Sequence, residues 1–175
     1  MKLMLFVASI LFMLSNVALA QEASREDFKE LSRLLEGRWI ADITWVEDWP
    51  GVGKKGEKAT GYFDVKKEAD GHALVGRHYA GTGAAIWMVA YDAADKKITG
   101  SFVVASGVYQ MSYFKKNGTW MEESHGSLVD GRRTHGSSTI TFSNNDTMMV
   151  LEGTGTTAGE RQDDRRDIYR KVKPE

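Results

Sequence analysis

From Arg38 to the end of the chain, apolar and polar residues alternate in short segments that turn-forming residues separate. Such alternation is typical of β-strands that bury one face. Asn-Gly and Asp-Gly pairs, which favour tight hairpin turns, occur at residues 70–71, 117–118 and 130–131. Weaker turn signals and two longer connections, at residues 47–58 and 153–160, bring the connections to nine, which separate ten segments. Because a closed meander leaves no strand edge exposed, the pattern predicts an all-β fold, a single antiparallel up-and-down β-barrel of about ten strands.

A helical periodicity precedes the strands. The apolar residues at helical spacing are Phe28, Leu31, Leu34 and Leu35. They form one stripe, and Ser24 with an aspartate three residues later resembles a capping box. We therefore predict a short N-terminal helix within residues 21–36, which plugs or flanks a barrel domain that occupies residues 37–175.

The first twenty residues have the three parts of a secretory signal peptide. Lys2 gives a positive start, residues 3–14 are almost wholly apolar, and Ala18-Leu19-Ala20 is a small-residue cleavage site. The alternative is an uncleaved membrane anchor, but the apolar segment is shorter than the roughly 20 residues that span a bilayer. We predict that residues 1–20 are removed, that no stable membrane anchor remains, and that the protein is exported to a periplasm or secreted.

Charge and cysteine content exclude two classes of function. The chain has 23 basic and 24 acidic side chains, which is too balanced for a nucleic-acid-binding protein. It contains no cysteine, so disulfide bonds, thiol catalysis and a thiol-linked lipid anchor are all excluded. Its length suits one domain.

Tight turns also predict which residues oppose each other across each hairpin, and therefore which residues share a face. The predicted pairs are Phe63 with His78, Trp87 with Phe102, and Tyr91 with Ile98. This face is apolar and aromatic, so we assign it to the barrel interior. The reverse face, with Ile86, Met88 and Val103, is also apolar, and we expect either the helix or a second subunit to cover it. A homodimer is therefore one predicted assembly.

Several segments resemble a known class of small barrel. They are Leu34 to Trp39, Gly76 to Tyr79, the hairpin from Tyr91 to Lys97, and Arg166 to Arg170. On these residues the chain resembles the lipocalin-like, calycin-type β-barrel domains of bacteria, a family of undefined function. The resemblance implies that Trp39 closes the barrel floor and that Arg170 packs over its ring, as a structural pair. It implies a fold and no activity.

Motifs for cofactor and metal chemistry are weak. Residues 51–56 match G-x-G-x-x-G, but a predicted strand follows them instead of the helix that holds a pyrophosphate, so we predict a loop at the barrel mouth. His72 and His78 share a face but lie about 20 Å apart along one strand. Across the turn at residues 130–131, the predicted register places His125 and His135 on opposite faces. We therefore predict no metal site.

Catalytic arrangements are also missing from the sequence. There is no G-x-S-x-G motif, and Glu122 and Glu123 are adjacent in a strand and point to opposite faces. We assign no catalytic residue and no obligate cofactor. If the face that carries Gln110, Glu123 and His125 is the lumen, these three form a polar cluster that binds a ligand head group or moves a proton. The alternative is a solvated surface. The charged segment 160–173 alternates in sign, which predicts a solvated strand.

His78 carries the sharpest hypothesis about chemistry. On the apolar face beside Phe63, its imidazole could orient a ligand or serve as an axial ligand of haem iron. The alternative is a histidine whose ring nitrogens are satisfied by neighbouring groups. Haem is thus a possible cofactor through His78 alone.

Three functions remain in order of preference. The first is an exported protein that binds a small apolar or amphipathic molecule, the second is an interaction module that uses the apolar outer face, and the third is an isomerase- or cyclase-type barrel enzyme with a lumen His or Glu. An aromatic cavity favours binding, and a filled lumen favours a partner protein. A buried acid or base with a shifted pKa favours an enzyme. The lumen candidates are Phe63, His78, Trp87, Tyr91, Phe102, Gln110, Glu123 and His125.

Overall fold

The computed structural model describes residues 22–173. In it, ten strands close into one antiparallel barrel, and one helix lies across an end. The elements are α1 (Arg25–Leu35), β1 (Gly37–Thr44), β2 (Lys58–Glu68), β3 (Ala73–Ala80), β4 (Gly83–Asp92), β5 (Lys97–Val104), β6 (Gly107–Lys116), β7 (Thr119–Leu128), β8 (Arg133–Ser143), β9 (Met148–Thr157), the two-residue β10 (Glu160–Arg161) and β11 (Arg165–Lys171). The predicted all-β barrel and its short N-terminal helix are confirmed. The predicted signal peptide lies outside the described residues.

Each strand from β1 to β9 pairs with the next one along the chain, and β11 pairs with both β9 and β1 to complete the ring. The short β10 pairs with the end of β9, and residues 162–164 then form a bulge before β11. Among residues 22–173, no helix has the length and apolar character that crossing a bilayer requires.

The helix seals one end of the barrel, which we call the floor. Its N-terminus has a complete capping box between Ser24 and Asp27. The predicted apolar stripe is buried against the barrel interior. Polar contacts fix the helix to the strand ends: the Ala23 amide donates to the Lys96 carbonyl over 2.8 Å, and Lys115 pairs with Glu30 at 2.7 Å. The predicted plug is therefore confirmed.

Trp39 lies at the centre of the floor, but its cationic partner differs from the one expected. The indole is 1% exposed and donates from Nε1 to the Leu35 carbonyl over 2.8 Å. Lys171, directly opposite Trp39 in β11, places Nζ 4.7 Å from the ring centroid. Arg170 points outward and pairs with Asp42 at 2.6 Å. The prediction for Arg170 was wrong by one residue, because successive strand residues point to opposite faces.

The predicted hairpin registers around residues 70–71, 92–95 and 117–118 are confirmed. The register around residues 130–131 was wrong. The Leu128 amide donates to the Arg132 carbonyl, so the loop has three residues, and Gly131 adopts a φ of +87°. A three-residue loop shifts the pairing by one position. His125 and His135 consequently face each other on the outer wall, with ring centroids 6.4 Å apart.

The connection predicted at residues 153–160 is mostly strand. β9 continues to Thr157, and the turn is formed by Ala158 and Gly159, both at positive φ. Gly153 is needed within the strand, because a Cβ there would overlap the Ser138 hydroxyl on β8. A glycine that permits close approach inside a sheet was thus mistaken for part of a turn.

The apolar reverse face of the β4–β5 hairpin is exposed. Ile86, Met88 and Val103 keep 53%, 52% and 48% of their surface accessible. The helix does not cover them, since it packs across the floor against the barrel interior, and its Arg25 contacts Tyr91 near the end of β4. Val108 on β6 lies opposite Val103 and is 49% exposed. We call these four residues the apolar wall patch.

Candidate binding cavity

An internal cavity of about 200 Å³ occupies the barrel between the floor and the opposite end, which we call the mouth. The helix contributes only Leu35 to its lining, and the strands supply most of the rest. The aromatic residues that line it are Trp45, Trp49, Phe63, Trp87, Phe102, Tyr109, Tyr113 and Tyr169. Pockets for small molecules are usually concave and aromatic, with a few polar groups at defined positions.

Residues 45–57, the mouth loop, fold across the open end. Trp49 stacks on Tyr109 of β6 with ring centroids 5.7 Å apart. Val52 is 6% exposed, and its carbonyl accepts from the Thr82 amide. Gly53, within the G-x-G-x-x-G match, lies so close to Trp45 that a Cβ would overlap the indole. Gly53 therefore permits packing of the loop, whereas Gly51 and Gly56 adopt positive φ with open space around them, in agreement with a loop rather than a nucleotide site.

His78 projects from β3 into the cavity among aromatic rings. Its ring centroid lies 5.4 Å from that of Phe63 and 6.2 Å from that of Phe102. Burial lowers the pKa of His78 to about 4, so the imidazole is neutral at neutral pH. Among the described residues, none is placed to hydrogen-bond its Nε2. Nε2 therefore has no partner among these residues, which leaves only Nδ1 for the neighbouring group that the interpretation of a satisfied histidine requires.

A chain of polar side chains crosses the interior from β4 to β11. Trp87 Nε1 donates to the Tyr113 hydroxyl over 2.9 Å, and that hydroxyl donates to Glu122 Oε2 over 3.1 Å. The other Glu122 oxygen lies 3.3 Å from Arg165, which also donates to Ser138 Oγ over 2.7 Å. Burial beside Glu122 raises the pKa of Tyr113 well above its ordinary value, so the phenol stays protonated and can donate.

Asp167 lies beside this chain and is the least satisfied charged group in the cavity. It is 4% exposed, and its Oδ2 is 3.8 Å from Arg165 Nε. No described residue hydrogen-bonds its Oδ1. Burial raises the pKa of Asp167 to about 6, with a smaller contribution from Glu122, against the opposing effects of Arg165 and the Thr44 amide.

Four of the eight predicted lumen residues line the cavity together: Phe63, His78, Trp87 and Phe102. Tyr91 also shares the inner face, but it lies at the floor, where the Arg25 guanidinium is 5.4 Å from its ring centroid. It does not line the cavity.

Gln110, Glu123 and His125 lie on the outer face and are exposed, so the hypothesis that placed them in the lumen was wrong. Tyr109, Met111 and Tyr113 of the same hairpin are the inward residues. Glu123 and His125 border a shallow outer depression with His135 and Arg161. Among the residues that the structure describes, no group of three or more His, Asp or Glu is arranged to hold a metal ion.

Sequence reasoning missed Glu122, Arg165 and Asp167. The segment 160–173 was predicted to be a solvated strand because its charges alternate, yet Asp167 is among the most buried polar residues described. The alternation carried the signal: Arg165 and Asp167 stand four and two positions before buried Tyr169, respectively, and so share its inward face.

The fold and the cavity define the class of this molecule: a closed ten-stranded antiparallel barrel with an aromatic interior and a few buried polar groups. No protein-family profile and no curated protein matches the chain.

Proposed function

We propose that this chain is an exported, lipocalin-like, calycin-type barrel that binds a small apolar or amphipathic molecule in its lumen. The observation that carries the proposal is an aromatic cavity whose buried His78 Nε2 and Asp167 Oδ1 lack hydrogen-bond partners among the described residues. Buried polar atoms are almost always paired, so unpaired ones that face a cavity favour a ligand that pairs them. Export rests on the signal-peptide pattern of residues 1–20.

The size of the cavity limits the ligand. About 200 Å³ lies below the usual range of about 300–1,000 Å³ for drug-sized ligands. A molecule with one or two rings suits this volume. Haem bound through His78 stays a prediction, and it requires that the mouth loop move, because Trp49 and Val52 pack across the open end.

Naphthalene, a compact apolar fluorophore, is expected to bind the mature protein saturably and to be displaced by toluene. Phe102→Asp is expected to abolish this binding, because an ionised carboxylate on an apolar wall costs several kcal/mol to desolvate. Fluorescence titration measures both. Val103→Asp is the matched control, since Val103 is the next residue and lies on the outer face.

Phe102→Trp provides a second test in case the aspartate variant does not fold, because it fills the cavity with apolar atoms. This variant is expected to weaken naphthalene binding while its circular dichroism stays that of a β-protein. If the wild-type protein shows no saturable binding, the lumen is not a site for apolar molecules and the proposal fails.

A second candidate function is supported by the apolar wall patch. Ile86 opposes Val103, and Val103 opposes Val108, so the patch is continuous across three strands. Contiguous exposed apolar surface marks interaction sites. Because each of the ten ring strands among the described residues is paired on both sides, a partner would pack face to face on this wall, and a second copy of the chain is the partner proposed.

Sedimentation velocity at micromolar concentration is expected to show a dimer. Ile86→Lys is expected to convert it to a monomer, because the substitution places a charge within the interface. Thr141→Lys, on the outer face of β8 away from the patch, is expected to leave the dimer intact. A monomeric wild-type protein would contradict this candidate.

Catalysis is the third hypothesis, and one group supports it. A carboxyl with a pKa of about 6, as for Asp167, suits proton transfer near neutral pH. However, the described residues place no hydroxyl or imidazole within hydrogen-bond distance of that carboxyl. Binding is therefore the function that the geometry supports best.

A further inference from the structure

Carboxylates dominate the charged lining of the cavity. The acidic lining residues are Glu47, Glu122, Asp163 and Asp167, and the only lysine or arginine among the described lining residues is Arg165. The two acidic groups at the mouth have cationic partners outside the lining, since Glu47 is 3.5 Å from Arg132 and Asp163 is 2.9 Å from Lys55. The deeper set of Glu122, Asp167 and Arg165 has one more carboxyl than it has cations.

Arg165 is already engaged by protein groups. Its Nη2 contacts Glu122 and Ser138, and its Nε faces Asp167. A ligand carboxylate at this guanidinium would compete with those contacts and lie beside two carboxyl groups of like charge. Like charges at such range disfavour the ionised form. The arrangement therefore disfavours an anionic ligand such as a fatty acid.

Asp167, in contrast, favours a ligand that donates hydrogen bonds and carries a positive charge. Its Oδ1 faces a buried, water-poor environment without a donor, and leaving an acceptor unpaired there is costly. A ligand N–H group would pair it, and a positive charge would also balance the excess carboxylate. The rings of Phe63 and Trp87, whose centroids are 5.7 Å apart in an edge-to-face arrangement, provide apolar surface for the rest of such a ligand.

We infer that the ligand of this cavity is a compact apolar primary amine, bound as its ammonium ion with the N–H groups towards Asp167 and the apolar part against Phe63 and Trp87. The inference rests on the proposed function of small-molecule binding and specifies the ligand class. Two observations support the amine: the excess of one carboxyl group over the cations in the deeper lining, and the unpaired Oδ1 of Asp167. Neither depends on which apolar group the ligand carries.

Three probes of nearly equal size test the inference: benzylamine, benzyl alcohol and benzoate. In isothermal titration at pH 7.5, benzylamine is expected to bind at least about tenfold more tightly than benzyl alcohol, which corresponds to one charge-assisted hydrogen bond. Benzoate is expected to show no measurable binding. The naphthalene titration described above reports separately whether the cavity admits apolar molecules at all.

Asp167→Asn removes the charge and keeps the shape of the side chain. In this variant, benzylamine and benzyl alcohol are expected to bind with equal affinity, while naphthalene binds as in the wild type. Asp42→Asn is the matched control, because Asp42 lies on the outer face of β1 and is paired with Arg170. It is expected to keep the full preference for the amine.

The affinity for benzylamine is also expected to depend on pH. Below a pH of about 6, where Asp167 takes up a proton, the affinity should fall until it equals that for benzyl alcohol, which itself stays constant. The groups that face Asp167 are Arg165 and Tyr169 on β11, Glu122 on β7 and the Thr44 amide on β1. Among these, burial raises the pKa of Tyr169, so the phenol does not titrate in this window.

Each outcome decides a different claim. If naphthalene binds but benzylamine shows no preference over benzyl alcohol, or if benzoate binds best, the amine inference is overturned and the proposed function stands. A preference that survives Asp167→Asn also overturns it. If neither naphthalene nor any of the three probes binds, both claims fail.

Discussion

Replacing Trp39 by alanine is expected to lower the free energy of unfolding by about 3–5 kcal/mol, the range for loss of a buried large aromatic side chain. The indole is 1% exposed, joins the helix to the barrel through its bond to the Leu35 carbonyl, and lies beneath Lys171. Its removal leaves a cavity in the floor and an unpaired carbonyl at the helix end. Urea denaturation followed by circular dichroism measures the loss.

Alanine substitutions of two neighbouring cations distinguish the contact at the floor from the general effect of removing a surface charge. Lys171→Ala is expected to cost roughly 0.5–2 kcal/mol, because it removes a cation over an aromatic ring and a bond to the Leu34 carbonyl. Arg170→Ala is expected to cost no more than about 1 kcal/mol, since its ion pair with Asp42 is exposed. A larger cost for Arg170→Ala than for Lys171→Ala, or a Trp39→Ala variant as stable as the wild type, would show that the floor is assigned wrongly.

Asp167→Asn is expected to raise the free energy of unfolding at pH 7.5, in the absence of ligand, by up to about 3 kcal/mol. Burial raises the pKa of this carboxyl from 3.8 to about 6, and each pH unit corresponds to about 1.4 kcal/mol. The folded chain thus holds the proton more tightly than the unfolded chain. Asparagine keeps a similar shape and requires no buried charge. A destabilised variant at pH 7.5 would contradict the prediction.

The sign of this effect gives it a distinctive pH profile. For a carboxyl whose pKa is raised on folding, the stabilising contribution is complete below pH about 4 and is lost as the pH rises through about 6. The advantage of Asp167→Asn over the wild type should therefore be absent at pH 4 and complete by pH 7.5. Asp42→Asn, at an exposed site, is expected to show no such gain. Sites that bind ligands often lower stability in this way.

The barrel and most of its interior could be predicted from the sequence because turn chemistry and alternation point to the same strands. Where the centre of a turn was assigned correctly, as at residues 70–71 and 117–118, it also predicted the opposing residues. Phe63, His78, Trp87 and Phe102 were placed on the inner face in this way. The physical reason is that β-strand side chains alternate with a strict period of two.

The two-residue alternation of β-strands also explains the residues that were assigned to the wrong face. Around Gly131 an extra loop residue reversed the predicted relation between His125 and His135, and a shift of one position exchanged Arg170 for Lys171 over Trp39. The buried polar chain was missed for another reason. Charge at Arg165 and Asp167 was taken to indicate solvent, yet these groups are held inside by Glu122 and by one another.

The order of the strands has a consequence for how the chain folds. Nearly all the pairings join neighbours along the sequence, but the closing pair joins β1 to β11, the first strand to the last. Local hairpins can form as soon as their residues meet, whereas closure must overcome the loop entropy of almost the whole domain. Until the last strand arrives, β1 and β9 present unpaired backbone along two open edges, which are templates for association between chains. The closing strand therefore determines both the slowest folding step and the period in which the chain is most exposed to aggregation.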